Sequence, residues 1–472
     1  MSSNQSEVVA KVVESGIKRP ASEEDNLRKV RKKDDSGGDN PRMKQDDSGG
    51  DNPRMRQDDS SGDLGCVFPL HLKSEDNLDV KYHETSYYFD GILRKVYPYY
   101  FTFHAFAKLR WYNRTLLDVI ASEFRAIPKE RIIERIEKGL TKVNGEVVRP
   151  DYIIKNGDSM QSKIHRHEMP VLAQRIRIIH EDDEYLVIDK PPSLPVHPCG
   201  RYRFNSIIAI LYKEHGYRGL HVIHRLDRPT SGVLMLAKSQ EKAKILSKKS
   251  ADREVKKEYL CRVEGDFPEK EITVDQPLFQ LCHKVGINIV HPEGKASKTR
   301  FEKVSFNGKS SLVRALPLTG RMHQIRLHLQ YLGHPIVNDP LYNTLAFGPM
   351  KGKGGDYGGY SREELIHNLR KEHCASDWII EPDELPSKLL KDSEKHQEDL
   401  NIFLANMDIV SGPSFDPAKQ TTDDTCEECR MKYKSPPPRS LMIFLHALKY
   451  ETDGRTFHTD LPFWARPDFD LI

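Results

Sequence analysis

Hydrophobic positions fall into two spacings along this chain, and the switch between them marks its parts. Leu116, Leu117, Val119, Ile120 and Phe124 recur at helical spacing, and Ile132, Ile133, Ile136 and Leu140 repeat it. Pro128 suits the start of the second helix, where a missing N–H costs nothing. Lys142-Val143-Asn144-Gly145, Val147-Val148 and Asn156-Gly157-Asp158 then predict short strands joined by tight Asn-Gly turns. From Ile176 the pattern becomes strand-rich, with strands expected at 184–189 (EYLVID), 233–237, 259–265 and 311–318 and a helix at 240–249. Helices and strands do not alternate strictly, so the expected class is α+β rather than a doubly wound sheet.

Other stretches carry no such periodicity. The first 64 residues are polar and nearly free of aromatics, and they repeat: 34–45 reads DDSGGDNPRMKQ and 46–57 reads DDSGGDNPRMRQ. A repeat of Gly, Asp, Ser and Pro buries no face, so a disordered tail is expected. Lys18-Arg19 and the run from Arg28 to Lys33 are spaced like a bipartite nuclear import signal, or are an ordinary solvated charge run. Residues 65–112 are rich in aromatics, including Tyr97-Pro98-Tyr99-Tyr100-Phe101. Such a run offers a stacking surface for bases, though packing against a domain is the commoner use. Residues 346–437 hold a glycine cluster, charged helical stretches and a proline run, and read as an insertion before the core pattern resumes at 441–450.

Composition narrows the function. The chain has 472 residues, 30% of them charged, yet a net charge of only +3, so any nucleic-acid affinity needs a local basic surface. No apolar run approaches the ~20 residues of a membrane span. Seven scattered cysteines fit reduced thiols in an intracellular setting. No glycine-rich phosphate loop stands in strand-to-helix context, and no His-x-Glu precedes a Pro-Cys-x-x-Cys, so the zinc-deaminase signature is absent.

The chemistry concentrates at 221–237 (HVIHRLDRPTSGVLMLA), which sets Asp227 between Arg225 and Arg228 at the mouth of an apolar strand. Adjacent cations favour the ionised carboxylate, which can serve as nucleophile or base. A salt bridge in a tight turn gives the same pattern, since structural ion pairs outnumber catalytic ones. Three more pieces change that balance: Tyr259 at the start of a strand in KKEYLCRVEG (256–265), Arg321, His323 and Arg326 in TGRMHQIRLH (319–328), and Leu445-His446-Ala447. Together with Lys190-Pro191-Pro192 ahead of them, in this order, they resemble the RluA family of RNA pseudouridine synthases.

That resemblance covers 173–345 and 438–467, the expected catalytic domain, with a mixed, mainly antiparallel sheet. The helix-helix-hairpin at 113–172 resembles the S4 RNA-binding module. The segment 93–102 (LRKVYPYYFT) is similar to the eukaryotic branch that includes tRNA pseudouridine-32 synthases. The family implies isomerisation of uridine to pseudouridine without a cofactor. The implied catalytic residues are Asp227 as nucleophile, Arg326 as its partner, Tyr259 against the base, and Arg225 in the space left by the flipped uridine. Lys142, Asn144, Lys257, Arg321 and His323 are the expected RNA contacts. The implied partner is RNA, a tRNA anticodon loop (position 32) or messenger RNA, with no membrane. The basic clusters favour nucleus or cytoplasm over mitochondrion. The rival reading is an RNA-binding protein that folds its target without essential catalysis. Cys426 and Cys429 form one CxxC, which His373 and Cys374 would complete as a zinc site. A single CxxC is a weak signal, and free thiols in an inserted loop are expected instead.

Overall fold

The strand β1 (Tyr87–Asp90) turns back into β2 (Leu93–Val96), and β3 (Tyr99–Phe106) follows. The computed structural model describes residues 82–123, 128–282, 286–372, 401–431, 433 and 435–469. The expected tail at 1–64, with its repeats and basic clusters, lies outside the described residues, as do 65–81, Phe124, His373 and Cys374.

After β3 come α1 (Leu116–Glu123), α2 (Lys129–Glu137), β4 (Thr141–Val143) and β5 (Ser159–Arg166). Both helices form where the apolar spacing predicts them, and Pro128 caps α2. Their inner faces pack with Trp111, Val143, Ile154 and Met160 into a separate small core. The sheet of this unit runs β3-β5-β4, and β3 pairs with β5 over its full length, from Tyr99 opposite Arg166 to Phe106 opposite Ser159. The unit therefore begins inside the aromatic segment, ahead of the boundary drawn at 113. The strand expected at Val147-Val148 does not form; Val147 is exposed, and only Glu146 bridges back to Val143. β5 takes the place of that strand as the partner of β4. The aromatic run is used in packing: Tyr97 and Tyr99 are each 2% exposed, and the Tyr99 hydroxyl donates to Glu168 at 2.8 Å.

β6 (Val171–Leu172) pairs with β2. The large sheet then takes up β7 (Arg177–Glu181) and β8 (Tyr185–Lys190), followed by α3 (Ile207–His215) and β9 (His221–Val222). β10 (Ser231–Ala237), α4 (Gln240–Ala251), β11 (Lys256–Glu264) and β12 (Ile272–Asp275) continue it. β13 (Leu278–Cys282) and β14 (Ile287–Val290) form a separate hairpin, and β15 (Lys298–Phe306) and β16 (Ser310–Pro317) return to the sheet. After α5 (Gln324–Leu332) and α6 (Arg362–Glu372), β17 (Leu445–Thr452) and β18 (Arg455–His458) close it.

The order across the large sheet is β12-β15-β16-β11-β17-β10-β8-β7. Every pairing is antiparallel except β10 with β17. This is the mixed, mainly antiparallel α+β architecture expected. β17, the last long strand in sequence, is the seam that joins two halves of the sheet. All seven residues of β10 are buried, and its apolar side chains pack with β8, α3 and α4. Each fully buried Leu or Ile there contributes about 1.5–3 kcal/mol relative to exposure.

The seam demands a glycine. Gly232 lies opposite Ala447 in the parallel pair, has φ +111°, and would place a Cβ 2.2 Å from the Ala447 carbonyl oxygen. The stretch after 346 is part insertion and part core: Phe347, Leu365 and Leu369 pack on Leu278, Ile287, Leu327 and Tyr342.

Candidate active site

Three segments meet at Asp227, and the sheet order explains why. Ala447 on β17 faces Gly232 on one side and Tyr259 on the other. The turn before β10 and the start of β11 are thus brought together by one strand from the far end of the chain. A bulge between Glu258 and Tyr259 re-aims that position.

The Asp227 turn is fixed from behind. Its carbonyl accepts from the Thr230 N–H at 3.0 Å. Lys190, fully buried at the end of β8, donates to the carbonyls of Pro191 (2.8 Å), Arg228 (3.3 Å) and Thr230 (2.7 Å). Burial, with Arg228 nearby, pushes the Lys190 ammonium down to about 7. The Lys190-Pro191-Pro192 segment thus holds the backbone on which Asp227 rides.

Arg326 projects from α5. Its Nη1 donates to Asp227 Oδ2 at 3.1 Å, while Nε and Nη2 fork onto Asp339 at 2.6 and 2.8 Å. Asp339 is almost wholly buried, and its Oδ1 also accepts from the backbone N–H groups of Leu341 and Tyr342. The Tyr342 ring lies 4.9 Å from the guanidinium carbon. A bidentate guanidinium packed beside an aromatic ring has little freedom to turn, so its remaining nitrogen is aimed rather than mobile.

His323 is the second group at the carboxylate. It sits just before α5 in the left-handed region (φ +59°), uncommon for a residue with a Cβ. Its Nδ1 meets the Tyr342 hydroxyl at 2.7 Å, and its Nε2 stands 3.7 Å from Asp227 Oδ2. Burial pushes His323 down to about 4, so the imidazole is neutral at neutral pH. Burial also pushes the Asp227 carboxyl up, but the charges of His323, Arg326 and Arg225 with the Arg326 hydrogen bond outweigh it and hold it below 3.8. With His323 neutral, the arginines supply that charge at neutral pH. Asp227 is ionised and its side chain is 19% exposed.

Tyr259 stands on β11, near enough to Asp227 to feel its charge. Its hydroxyl meets that of Tyr450 on β17 at 2.8 Å. Burial pushes Tyr259 up to about 12, with Asp227 adding to the rise, so it is a protonated phenol rather than a phenolate. Arg225 is exposed two residues before Asp227.

The structure brings Asp227, Tyr259, Arg326, Arg225 and His323 together. Arg321 is also exposed at this end of α5, and its Nε donates to the Ala296 carbonyl. Lys257 is half-buried, near Ser250 and over the Tyr450 ring at 5.5 Å. Lys142 is half-exposed on β4. Asn144 spends its side chain on its own turn, donating to Asp158 at 2.8 Å and accepting from the Ser159 N–H at 2.9 Å. His446 is buried between Ser231 and Thr459. Asp339, Tyr342 and Tyr450 escaped the sequence reading: Asp339 stands in an aperiodic HPIVNDPLY stretch whose only signal is an Asp-Pro turn. Cys426 and Cys429 lie beside His165 and His167.

Known proteins resemble this chain over most of its length. The RNA pseudouridylate synthase profile matches residues 184–331. The chain is 42% identical to pseudouridylate synthase RPUSD2 of Homo sapiens, over 83% of this chain and 77% of the human protein. It is 38% identical to the mitochondrial tRNA pseudouridine(32) synthase of Saccharomyces cerevisiae, over 80% of this chain and 78% of that protein. It is 32% identical to the tRNA pseudouridine(31) synthase of the same yeast, over 80% of this chain and 96% of that protein. With a relative above 40% identity matched over most of its length, and an ionised aspartate beside an arginine and a tyrosine inside the matched region, this chain belongs to the RNA pseudouridylate synthase family.

Proposed function

We propose that the enzyme isomerises a uridine in the anticodon loop of tRNA, with Asp227 as its nucleophile. The observation that carries the reading is the Asp227 carboxylate, held ionised by a guanidinium that Asp339 aims. The tRNA assignment rests on the two yeast relatives, whose names place their targets at positions 32 and 31.

The chemistry moves no atom in or out except one exchangeable proton. Uridine flips from its stack into the site, and Arg225, exposed beside Asp227, fills the gap. The Asp227 carboxylate attacks, and the bond between ribose C1′ and uracil N1 breaks. Uracil turns so that its C5 faces C1′, a C–C bond forms there, and Asp227 is released. The C5 hydrogen leaves as a proton and N1, freed from the ribose, takes one up from solvent, so the product is an isomer of the substrate. Tyr259 lies against the base as a flat face. With its pKa pushed up to about 12, its hydroxyl, oriented by Tyr450, hands the proton on as a neutral phenol rather than as a phenolate base. Arg326 keeps Asp227 ionised and fixes its rotamer.

The unit at 99–166 is proposed as the S4-like module that grips the RNA flank. Its own hydrophobic core and its helix-helix-hairpin order support this. The basic clusters at 18–19 and 28–33 favour nucleus or cytoplasm, and the mitochondrial yeast relative makes the mitochondrion the competing compartment.

The test is a pseudouridine map of total RNA from cells lacking the protein, rescued with wild type or with Asp227→Ala. Sites restored by wild type alone, lying in tRNA anticodon loops, are the expected result. Sites restored equally by both forms would point to an RNA-folding protein instead.

A further inference from the structure

The segment between α6 and β17 carries a feature that uridine isomerisation does not use. His165 on β5 and His167, one residue past its end, both turn toward the Cys429 sulfur. Cys426 and Cys429 come from a tight turn some 260 residues later, closed by the Cys429 N–H to the Cys426 carbonyl at 3.2 Å. One ligand atom from each of the four lies within 4.8 Å of all the others. The Cys429 sulfur stands 3.2 Å from His165 Nδ1 and 3.4 Å from His167 Nε2. Tetrahedral zinc, with Zn–S about 2.3 Å and Zn–N about 2.05 Å, sets sulfur and nitrogen about 3.6 Å apart. The constellation is therefore of the size that zinc draws together.

The surroundings fit a held site. His165 Nε2, the nitrogen away from the sulfurs, meets the Thr421 hydroxyl at 2.9 Å, and that hydroxyl donates to the Pro98 carbonyl. Such an outer partner fixes the orientation of a ligating imidazole. The residues between the cysteines are tied outward: Glu427 to Arg131 of α2 at 3.0 Å, and Glu428 to Arg201 of the catalytic domain at 2.5 Å. A redox dithiol alone gives no reason for two imidazoles to converge on the same point. We propose that His165, His167, Cys426 and Cys429 form a closed Cys2His2 zinc site that fastens the inserted segment to the small unit. Two thiolates and two imidazoles select zinc over hard cations, and four protein ligands leave no open position, which marks a structural site. The same segment runs along the catalytic domain's entry, where Val410 N–H donates to Ala173 and Arg175 N–H to Asp408. The metal would lock that path in place.

The test uses the tag-free full chain, reduced, supplied with Zn2+ and desalted, with metal read by mass spectrometry. About one zinc per chain is expected, with almost none in the Cys426→Ser/Cys429→Ser double variant and retention in His167→Cys, which keeps four ligands. Co2+ supplied instead should give the intense visible bands of a tetrahedral thiolate site in the wild-type chain, a readout independent of whether any variant folds. A wild-type chain that holds no zinc and gives only the pale spectrum of octahedral Co2+ would overturn the proposal. So would a double serine variant that keeps the full complement of zinc.

Discussion

Arg326 grips Asp339 with two hydrogen bonds, at 2.6 and 2.8 Å, and has one nitrogen left for Asp227 at 3.1 Å. The pair is buried, so breaking it is more costly than breaking a surface ion pair. Replacing Arg326 with Met leaves Asp339 charged in the interior and should destabilise the protein by about 3–5 kcal/mol. The Arg326→Met/Asp339→Leu variant, with neither charge left buried, should recover much of that loss while remaining inactive. Urea unfolding beside an activity assay separates the two effects.

The two carboxylates held by Arg326 set an acid limit. Asp227 and Asp339 both lie below 3.8, the first against burial through His323, Arg326 and Arg225, the second against burial through Arg326 and its hydrogen bonds. Each is depressed on folding, so the unfolded chain binds more protons near pH 4. Their stabilisation is present in full above the ordinary carboxylate range and is lost as pH falls through the lower folded values. Urea midpoints measured downward from pH 6 should drop below about pH 4, and Asp339→Asn should flatten part of that fall.

His323 should titrate far from an ordinary histidine. Burial puts it at about 4, so its imidazole resonances should stay unmoved between pH 8 and 5.5. His323→Asn, tolerated in the left-handed region, identifies the signal by its loss. A midpoint near 6.5 would show that the imidazole is open to solvent and that its charge does act on Asp227 at neutral pH.

Gly232→Ala tests the seam. The added methyl would meet the Ala447 carbonyl oxygen at 2.2 Å, at a φ of +111° that disfavours any Cβ. Strain and overpacking together should cost about 2–5 kcal/mol. Melting should shift accordingly. Because Ala447 also faces Tyr259, turnover should fall further than the unfolded fraction explains.

Tyr259→Phe keeps the flat face and removes the hydroxyl bonded to Tyr450. Turnover should fall about 10²–10⁴-fold if the hydroxyl relays the proton, with RNA affinity nearly unchanged. Tyr259→Leu should weaken RNA binding as well. Equal activity in the wild-type and Phe forms would leave only the stacking role.

Much of this site was legible in the chain, and the gaps have physical causes. Asp227 announces itself because arginines flank it next to an apolar strand, a purely local pattern. The helices at 116–123 and 129–137 show in their apolar spacing. β5 does not, because SMQSKIHR offers few apolar positions and owes its pairing to β3 and β4 on either side. Asp339 and Tyr450 act through contacts made by chain reversal, and no local pattern encodes those. The proposed zinc ligands divide the same way: the CxxC is visible as a motif, but its histidines lie at the end of β5 and just past it, some 260 residues earlier. The sequence alone offers His373 and Cys374 as partners for the CxxC instead, and these lie outside the described residues.

The most direct measurement is the release of tritium from tRNA carrying C5-tritiated uridine, comparing the wild type with Asp227→Asn. The amide keeps the shape and loses the charge that the arginines hold. The expected result is steady release by the wild type and a loss of at least about 10³-fold in the variant, with matching unfolding curves and RNA affinity. Release by Asp227→Asn within a few-fold of the wild type would contradict the assignment of Asp227 as the nucleophile.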